Sequence, residues 1–201
     1  MDNNSTTTAI KPMTRDRAYE ILTSLVKNEN LLKHHFACEA AMKVLYKRLN
    51  PIIDPLEEQN WGIVGLLHDA DYELSKGMPE KHTLILEEKI GKELDPRLMY
   101  AIKSHNFKYS KAEPKTHLDW SIYCCDELTG LIIACALISP DKKLATLTPE
   151  FVMKRFLEPS FARGATREQI KLCEQALTIP LDEFIQIVLT SMQTIAPSLG
   201  L

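Results

Sequence analysis

The chain has 201 residues, of which 45% are hydrophobic, 25% are charged and only 7 are glycine, which excludes a disordered, collagen-like or low-complexity protein. Its length fits one globular domain, since domains typically contain roughly 100 to 200 residues. The 24 basic residues are outnumbered by 27 acidic ones, so we expect neither a nucleic acid nor an anionic membrane as a partner.

Helical periodicity begins after a polar N-terminal segment. Residues 1–12 are predicted to form a flexible tail, and residues 13–201 a single domain. The first helix of this domain has apolar residues spaced by three and four over residues 18–26. A second helix is predicted from about Asn30 to Leu49, and a third from Asp54 towards His68.

The rest of the chain repeats the same start signals, a small polar residue or a proline ahead of an apolar stripe. Residues 166–169 have the pattern of a capping box, in which two side chains cap the helix start reciprocally. No run of alternating β-branched residues competes with these patterns, so the sequence predicts an all-α domain of about eight or nine helices. The later helices are predicted to start near Pro79, Asp95, Thr116, Thr148, Thr166 and Pro180.

The cysteines and the N-terminus both bear on the cellular compartment. Five cysteines without a Cys-x-x-Cys pair favour buried thiols in a reducing compartment over a disulfide framework. Residues 1–8 are polar and lack the basic and apolar regions of a signal peptide. The longest purely apolar run, residues 131–138, is far shorter than the roughly 20 residues of a membrane-spanning helix. We expect a cytoplasmic protein.

Four of the six histidines are predicted to lie on the apolar faces of helices, where burial disfavours the charged imidazole. One buried histidine is readily satisfied by a backbone carbonyl, but four in one small core require a shared partner. By contrast, His35 lies in line with Glu39 and Tyr46 on a more polar side, and His117 near a helix start is expected to be exposed. The four inward histidines are His34, His68, His82 and His105.

A metal ion would satisfy these histidines, because neutral imidazole is the commonest protein ligand of transition metals and carboxylates complete the set. Asp69 follows His68 at a helix end, where both side chains can turn towards one ion. Asp126 lies in a long apolar helix and offers a second buried carboxylate. The sequence therefore predicts a site with histidine and aspartate ligands.

The order of these residues resembles the HD superfamily of metal-dependent phosphohydrolases, in particular a small predicted HD-domain hydrolase subgroup. The signature of the superfamily is a His, a later His-Asp pair and a still later Asp, which correspond to His34, His68 with Asp69, and Asp126. The resemblance covers about residues 30 to 195. Its matching stretches are residues 33–34, 65–69, 79–82, 104–106, 126–130 and 160–164.

The resemblance implies a binuclear site in one HD-type helical domain. Members with two further histidines between the His-Asp pair and the last Asp generally hold two metals, and His82 and His105 occupy those places. Asp69 would then bridge the two ions. Asn106 stands where the cyclic-dinucleotide phosphodiesterase branch has a second consecutive histidine, which argues against a cyclic-dinucleotide substrate.

Such a site implies hydrolysis by a metal-activated water. We expect Asp69 to bridge the metals, and Asp71 and Glu73 to orient the water or to protonate the leaving oxygen. Because the chain as a whole is slightly acidic, phosphate charge must be met by local cations. The candidate phosphate-binding residues are Lys81, Lys108 and Arg163.

The expected function is therefore that of a phosphomonoesterase or phosphodiesterase acting on a small phosphorylated metabolite or nucleotide. Its cofactors would be one or two divalent ions, and the ligand set is compatible with Mn, Fe, Ni, Zn or Mg. Two alternatives remain open at this stage. One is an HD-type diiron oxygenase, and the other is a catalytically inactive module that binds a metal or a regulatory ligand.

Overall fold

A computed structural model describes residues 11–201, and these residues form eleven α-helices and one short 3-10 helix without any β-strand. The all-α prediction is therefore confirmed. Of the predicted N-terminal tail, residues 1–10 lie outside the described residues, while Lys11 and Pro12 are exposed and have no regular structure.

The helices before residue 111 carry three of the six histidines, namely His34, His35 and His105. They are α1 (Arg15–Leu25), α2 (Glu29–Leu49), α3 (Pro55–Leu67), α4 (Leu84–Ile90), α5 (Pro96–His105) and α6 (Phe107–Ser110). The remaining helices follow a loop after residue 110. They are α7 (His117–Ile138), α8 (Pro149–Phe156), α9 (Arg167–Ala176), α10 (Leu181–Thr194) and α11 (Ala196–Leu199), with the 3-10 helix at Leu144–Thr146.

The described residues contain more helices than the eight or nine expected. The two extra ones are the four-residue helices α6 and α11, which are too short to show periodicity in the sequence. Helix α4 starts at Leu84 and not near Pro79, because the buried Asp71 carboxylate accepts hydrogen bonds from Thr83 N at 3.1 Å and Leu86 N at 2.9 Å. These bonds hold the first turn of α4 at this point in the chain.

The expected capping box at Thr166 does not form. The Thr166 side chain makes no capping bond, and its backbone N–H donates instead to Glu127 Oε2 at 2.9 Å. The Gln169 amide donates to the Tyr123 carbonyl of α7 at 2.7 Å. Contacts between α9 and α7 thus replace the local contacts that the sequence pattern predicted.

Helix α7 lies in the middle of the fold and packs against α2, α5 and α9. It is the one helix of the described residues that is long and apolar enough to cross a membrane, and 56% of its most apolar window is buried inside the protein. The buried apolar side chains of all the longer helices form one continuous core. All five cysteines are buried and free, as the sequence predicted.

Helices α2 and α3 cross at very close range. A Cβ atom added to Gly65 of α3 would lie 2.5 Å from the Cys38 carbonyl oxygen of α2, so only glycine permits this approach. Gly65 lies three residues before His68, and Cys38 lies four residues after His34. The close crossing therefore brings the histidines of the two helices together.

One face of α2 is buried where the sequence suggested a polar side. His35 is fully buried, and Glu39 and Tyr46 are nearly so. On this face the Arg15 side chain from α1 donates to Glu39 at 2.7 and 2.9 Å. The expectation for His35 was wrong because its own helix could not reveal that α3 packs against it, which brings the His68 ring to 5.3 Å from the His35 ring.

Candidate metal centre

The six predicted metal ligands come from five segments of the chain and converge on one place. His34 lies on the second turn of α2, and His68 and Asp69 follow directly after α3. His105 ends α5. His82 precedes α4 in a stretch of turns, and Asp126 lies in the middle of α7.

One half of the cluster combines His34, His68 and Asp126. His34 Nε2 lies 3.2 Å from His68 Nε2 and 2.9 Å from Asp126 Oδ1. His68 Nε2 lies 3.4 Å from the same carboxylate oxygen. Ligands at about 2.0–2.2 Å from one tetrahedral metal ion are about 3.3 Å apart, so these three atoms are spaced as ligands of one ion.

The other half combines His82, His105 and Asp69. The two imidazole Nε2 atoms lie 3.0 Å apart. Asp69 Oδ1 lies 3.0 Å from His82 Nε2 and 3.1 Å from His105 Nε2. These three atoms form a second set with the spacing of metal ligands.

Asp69 connects the two halves. While its Oδ1 atom faces His82 and His105, its Oδ2 atom lies 3.7 Å from His68 Nε2 and 3.9 Å from His34 Nε2. Each carboxylate oxygen therefore points to a different pair of histidines. This is the arrangement that a carboxylate needs to contact two neighbouring cations.

All four imidazoles of the cluster are oriented by a hydrogen bond at the opposite ring nitrogen, which fixes the Nδ1–H tautomer and leaves the Nε2 lone pair free. In the neutral imidazoles the Nε2 lone pairs therefore face one another and the Asp69 and Asp126 oxygens, and only a proton or a metal cation can lie favourably between them. The Nδ1 acceptors are Thr129 Oγ1 for His34 at 3.2 Å, Gly65 O for His68 at 2.9 Å, Asp71 Oδ1 for His82 at 2.8 Å and Ile102 O for His105 at 2.5 Å.

The pKa values of the cluster show that it attracts positive charge. Burial disfavours the charged form of His68, yet the neighbouring Asp69 and Asp126 carboxylates raise the pKa of His68 to about 10. Burial likewise opposes charge on His82, while hydrogen bonds with Asp69 and Asp71 raise its pKa to about 9. The pKa of Asp69 is held well below its usual range, against the effect of burial, by the surrounding histidines. Either protons or metal cations would supply the positive charge that these carboxylates stabilise.

The Cys38 thiol also lies beside the cluster, and its sulfur is one of the atoms that could hold a metal ion there. Its Sγ atom is 4.0 Å from His34 Nδ1 and 3.9 Å from His34 Nε2. An atom equally far from both ring nitrogens lies beside the ring, off the direction of the Nε2 lone pair. Cys38 therefore packs against the His34 ring, and its sulfur is the fourth atom of the set that contains His34, His68 and Asp126.

Asp71, one of the two predicted auxiliary catalytic acids, lies behind His82 and is fully buried. Its Oδ1 atom accepts from His82 Nδ1 and Thr83 N, and its Oδ2 atom accepts from Leu86 N. Thr83 adopts a left-handed backbone conformation with φ of 73° at this point. The structure thus gives Asp71 a contact that positions His82.

Glu73, the other predicted acid, is placed near the start of α2. Its carboxylate accepts hydrogen bonds from Lys27 N at 2.7 Å and Asn28 N at 3.1 Å. It also lines a cavity of about 600 Å³ that reaches His34. Glu73 is therefore close to the cluster, but both of its oxygens are engaged by the backbone.

The predicted phosphate-binding cations are exposed and do not line that cavity. Lys81 is exposed, and the Lys108 ammonium lies 5.4 Å from the centre of the Tyr109 ring. Arg163 lines a separate cavity of about 540 Å³ together with Lys171, and no residue of the cluster lines it. The structure does not bring these three side chains together.

The sequence reasoning missed two side chains at the mouth of the cluster. Lys76 and Tyr72 line the cavity that reaches His34, and the Tyr72 ring lies 5.8 Å from the His82 ring. Both belong to the loop that follows Asp69. The position of Lys76 in the first loop after the His-Asp pair was the signal that could have identified it.

His35 also lies next to the cluster, and the sequence did not predict that it is buried. Both of its ring nitrogens are buried without a hydrogen-bond partner, and its ring lies 5.3 Å from the His68 ring. Its pKa is lowered well below the usual value, mainly by burial. A neutral imidazole therefore packs against the rear of the cluster.

The comparisons with known proteins give no identification. No family model matches the chain, and neither a curated protein nor a solved structure matches it. The site is therefore characterised by its own geometry. The described residues form an all-α protein with a cluster of His, Asp and Cys side chains that could hold a metal ion.

Proposed function

We propose that the protein is a metal-dependent phosphohydrolase of the HD superfamily that acts on a small phosphorylated metabolite or nucleotide. The observation that carries the proposal is the pair of ligand sets that share Asp69, with one carboxylate oxygen facing each set. The His, His-Asp and Asp order of the resemblance supports the same conclusion. The buried, free thiols support a cytoplasmic location.

The donor set fits two divalent transition-metal ions. His34, His68 and Asp126 would hold one ion, and His82 and His105 the other, with Asp69 between them. Neutral imidazole and carboxylate ligands suit Mn, Fe, Ni and Zn. When bound, a metal pair would lower the pKa of water to about 7 and would neutralise phosphate oxygens.

The protein's own groups position these components. The bonds at Nδ1 hold each imidazole with its Nε2 atom towards the centre, and Asp71 does this for His82 with a charged acceptor. Asp69 would help to hold both ions, since one of its carboxylate oxygens faces each pair of histidines.

The cavity beside His34 offers the approach for a substrate. Its volume of about 600 Å³ suits a small molecule. Lys76 supplies a cation for a phosphate oxygen, and Asn28 and Asn30 line the same wall. Because the whole chain carries a formal charge of −3, such a local cation is needed to bind an anionic substrate.

The test compares metal content and phosphate release in matched variants. His68→Ala and Asp69→Asn remove cluster ligands, while His117→Ala and Asp16→Asn change exposed residues of the same types. We expect the first two to lose bound metal and hydrolysis of p-nitrophenyl phosphate, bis(p-nitrophenyl) phosphate or nucleoside monophosphates. The second two should keep both. Equal metal content in all four variants would refute the proposed site.

The same samples distinguish the alternative functions. An iron-containing protein whose absorption changes on exposure to oxygen, with no phosphate release, would indicate an oxygenase. A protein that contains no transition metal, and gains no thermal stability from added Mn, Fe, Ni or Zn, would indicate a binding module. Either result would overturn the phosphohydrolase proposal.

A further inference from the structure

A second cavity lies on three of the helices that carry the cluster. Its volume is about 570 Å³, and none of the six cluster residues lines it. Its wall residue Trp61 lies seven residues before His68 on α3, and Leu118 lies eight residues before Asp126 on α7. At about 1.5 Å of helix rise per residue, the cavity is roughly 10–12 Å from the cluster.

The walls of this cavity combine flat and apolar side chains. Trp61 comes from α3, Tyr100 from α5 and Leu118 from α7. The Tyr100 hydroxyl donates to the Glu113 carbonyl at 2.9 Å, and the Trp61 ring packs 5.5 Å from the Tyr46 ring. Both aromatic rings are therefore held in place, and the volume lies within the usual range for small-molecule sites.

Most charged groups around the cavity already have partners. Arg97 pairs with Glu57 at 3.1 Å and with Asp95 at 3.0 Å. The carboxylate of Asp119 accepts from the backbone N–H groups of Lys115 and Thr116 in the capping box of α7. These acidic groups are therefore engaged within the protein.

Two further side chains of the same wall, Lys115 and His117, carry a positive charge or can be protonated. In the part of the chain that the structure describes, neither Lys115 nor His117 is in an ion pair with a carboxylate. The Lys115 ammonium lies over the Tyr100 ring, 4.9 Å from its centre, and so contacts the aromatic wall. Among the described residues, the cavity thus combines a flat apolar surface with a cation that pairs with no carboxylate.

We propose that this cavity binds a small aromatic anion, with its ring against Trp61, Tyr100 and Leu118 and its acidic group against Lys115 and His117. The proposal rests on the lining of this cavity alone. It is therefore independent of the phosphohydrolase proposal, and the two can be tested separately.

The fluorescent aromatic anion 1-anilinonaphthalene-8-sulfonate is a suitable probe. In a Trp120→Phe background Trp61 is the remaining tryptophan, since the chain has two. We expect saturable binding at one site, with quenching of Trp61 emission by energy transfer to the probe. The uncharged analogue N-phenyl-1-naphthylamine should bind more weakly. Absence of saturable binding up to about 1 mM, the level of a very weak complex, would overturn the proposal.

Two charge-reversal variants provide the matched comparison. Lys115→Glu should weaken binding of the anionic probe about tenfold, because attraction is replaced by repulsion, and should leave binding of the uncharged analogue unchanged. Lys89→Glu makes the same change in net charge at an exposed position of α4 and should have no effect. Equal affinities for the anion in both variants would show that the cavity is not the site. His68→Ala should still bind the probe, whatever happens to metal binding.

Discussion

Replacing Gly65 with alanine is expected to separate α2 from α3 and to weaken the metal centre. The new Cβ atom would lie 2.5 Å from Cys38 O, 2.6 Å from Cys38 C and 2.8 Å from Glu39 N, all of which are backbone atoms. Restoring an ordinary contact of 3.4 Å requires the two helices to move apart by about 0.9 Å. Because backbone cannot yield as a side chain can, both helices must shift.

The net loss of stability follows from two opposing effects. Overpacking a core costs about 1–3 kcal/mol even where side chains can move, and a shift of two backbones lies at or above the upper end. Alanine recovers about 1 kcal/mol through its higher helix propensity. We therefore expect the free energy of unfolding to fall by about 2 kcal/mol, which corresponds to a drop in Tm of about 4–8 °C for a chain of this size.

The same shift should affect the ligands. His68 follows Gly65 by one helical turn and donates to its carbonyl, so its Nε2 atom would move relative to His34 Nε2, now 3.2 Å away. Displacements of about 0.5 Å are already harmful in functional sites, so we expect metal affinity to fall about tenfold. Competition with a chromogenic chelator measures this effect, and urea denaturation measures stability.

Two other glycines serve as controls. A Cβ atom at Gly62 of α3 would meet only the Lys43 side chain, which can move away, and one at Gly130 of α7 would meet nothing within 4 Å. Gly62→Ala should be close to neutral, and Gly130→Ala should stabilise by about 1 kcal/mol. Surface substitutions usually change the free energy of unfolding by no more than about 0.5 kcal/mol. The expectation is refuted if the free energies of unfolding of Gly65→Ala and Gly62→Ala differ by less than that amount.

Three further substitutions test other parts of the structure. His35→Leu should raise the free energy of unfolding by about 1 kcal/mol in urea denaturation, because both ring nitrogens are buried without a partner; a loss of stability would contradict this. Burial raises the pKa of Glu39, but hydrogen bonds from Arg15 and Lys43 outweigh this and hold it below its usual range. Its stabilisation is therefore present above the unfolded pKa of about 4.3 and lost as pH falls through the folded pKa, so Glu39→Gln should cost about 1–3 kcal/mol at pH 7 and much less at pH 3. An equal cost at both pH values in urea would exclude this linkage. Arg167 donates to five carbonyl oxygens between residues 156 and 165, which a lysine cannot match, so Arg167→Lys should speed limited proteolysis of this loop about tenfold. Unchanged cleavage would show that the loop is held by other contacts.

The sequence alone determined the helical class and the inward direction of His34, His68, His82 and His105, although it missed the burial of His35. These features follow from local rules, because the spacing of apolar residues defines one face of a helix and a cap defines its start. The start of α3 at Asp54, which accepts from Leu56 N at 2.8 Å, is one such local feature. His34 and His105 could be assigned to inner faces in the same way.

Only the tertiary structure decided what those faces contact. The division of Asp69 between two histidine pairs, the burial of His35 against α3 and the start of α4 beyond His82 all depend on contacts between distant segments. The cations illustrate the same limit, since Lys76 reaches the cavity at His34 while Arg163 lines another one. Periodicity specifies which way a side chain leaves its own helix, but the helix that covers it and the charge that it meets are set by packing.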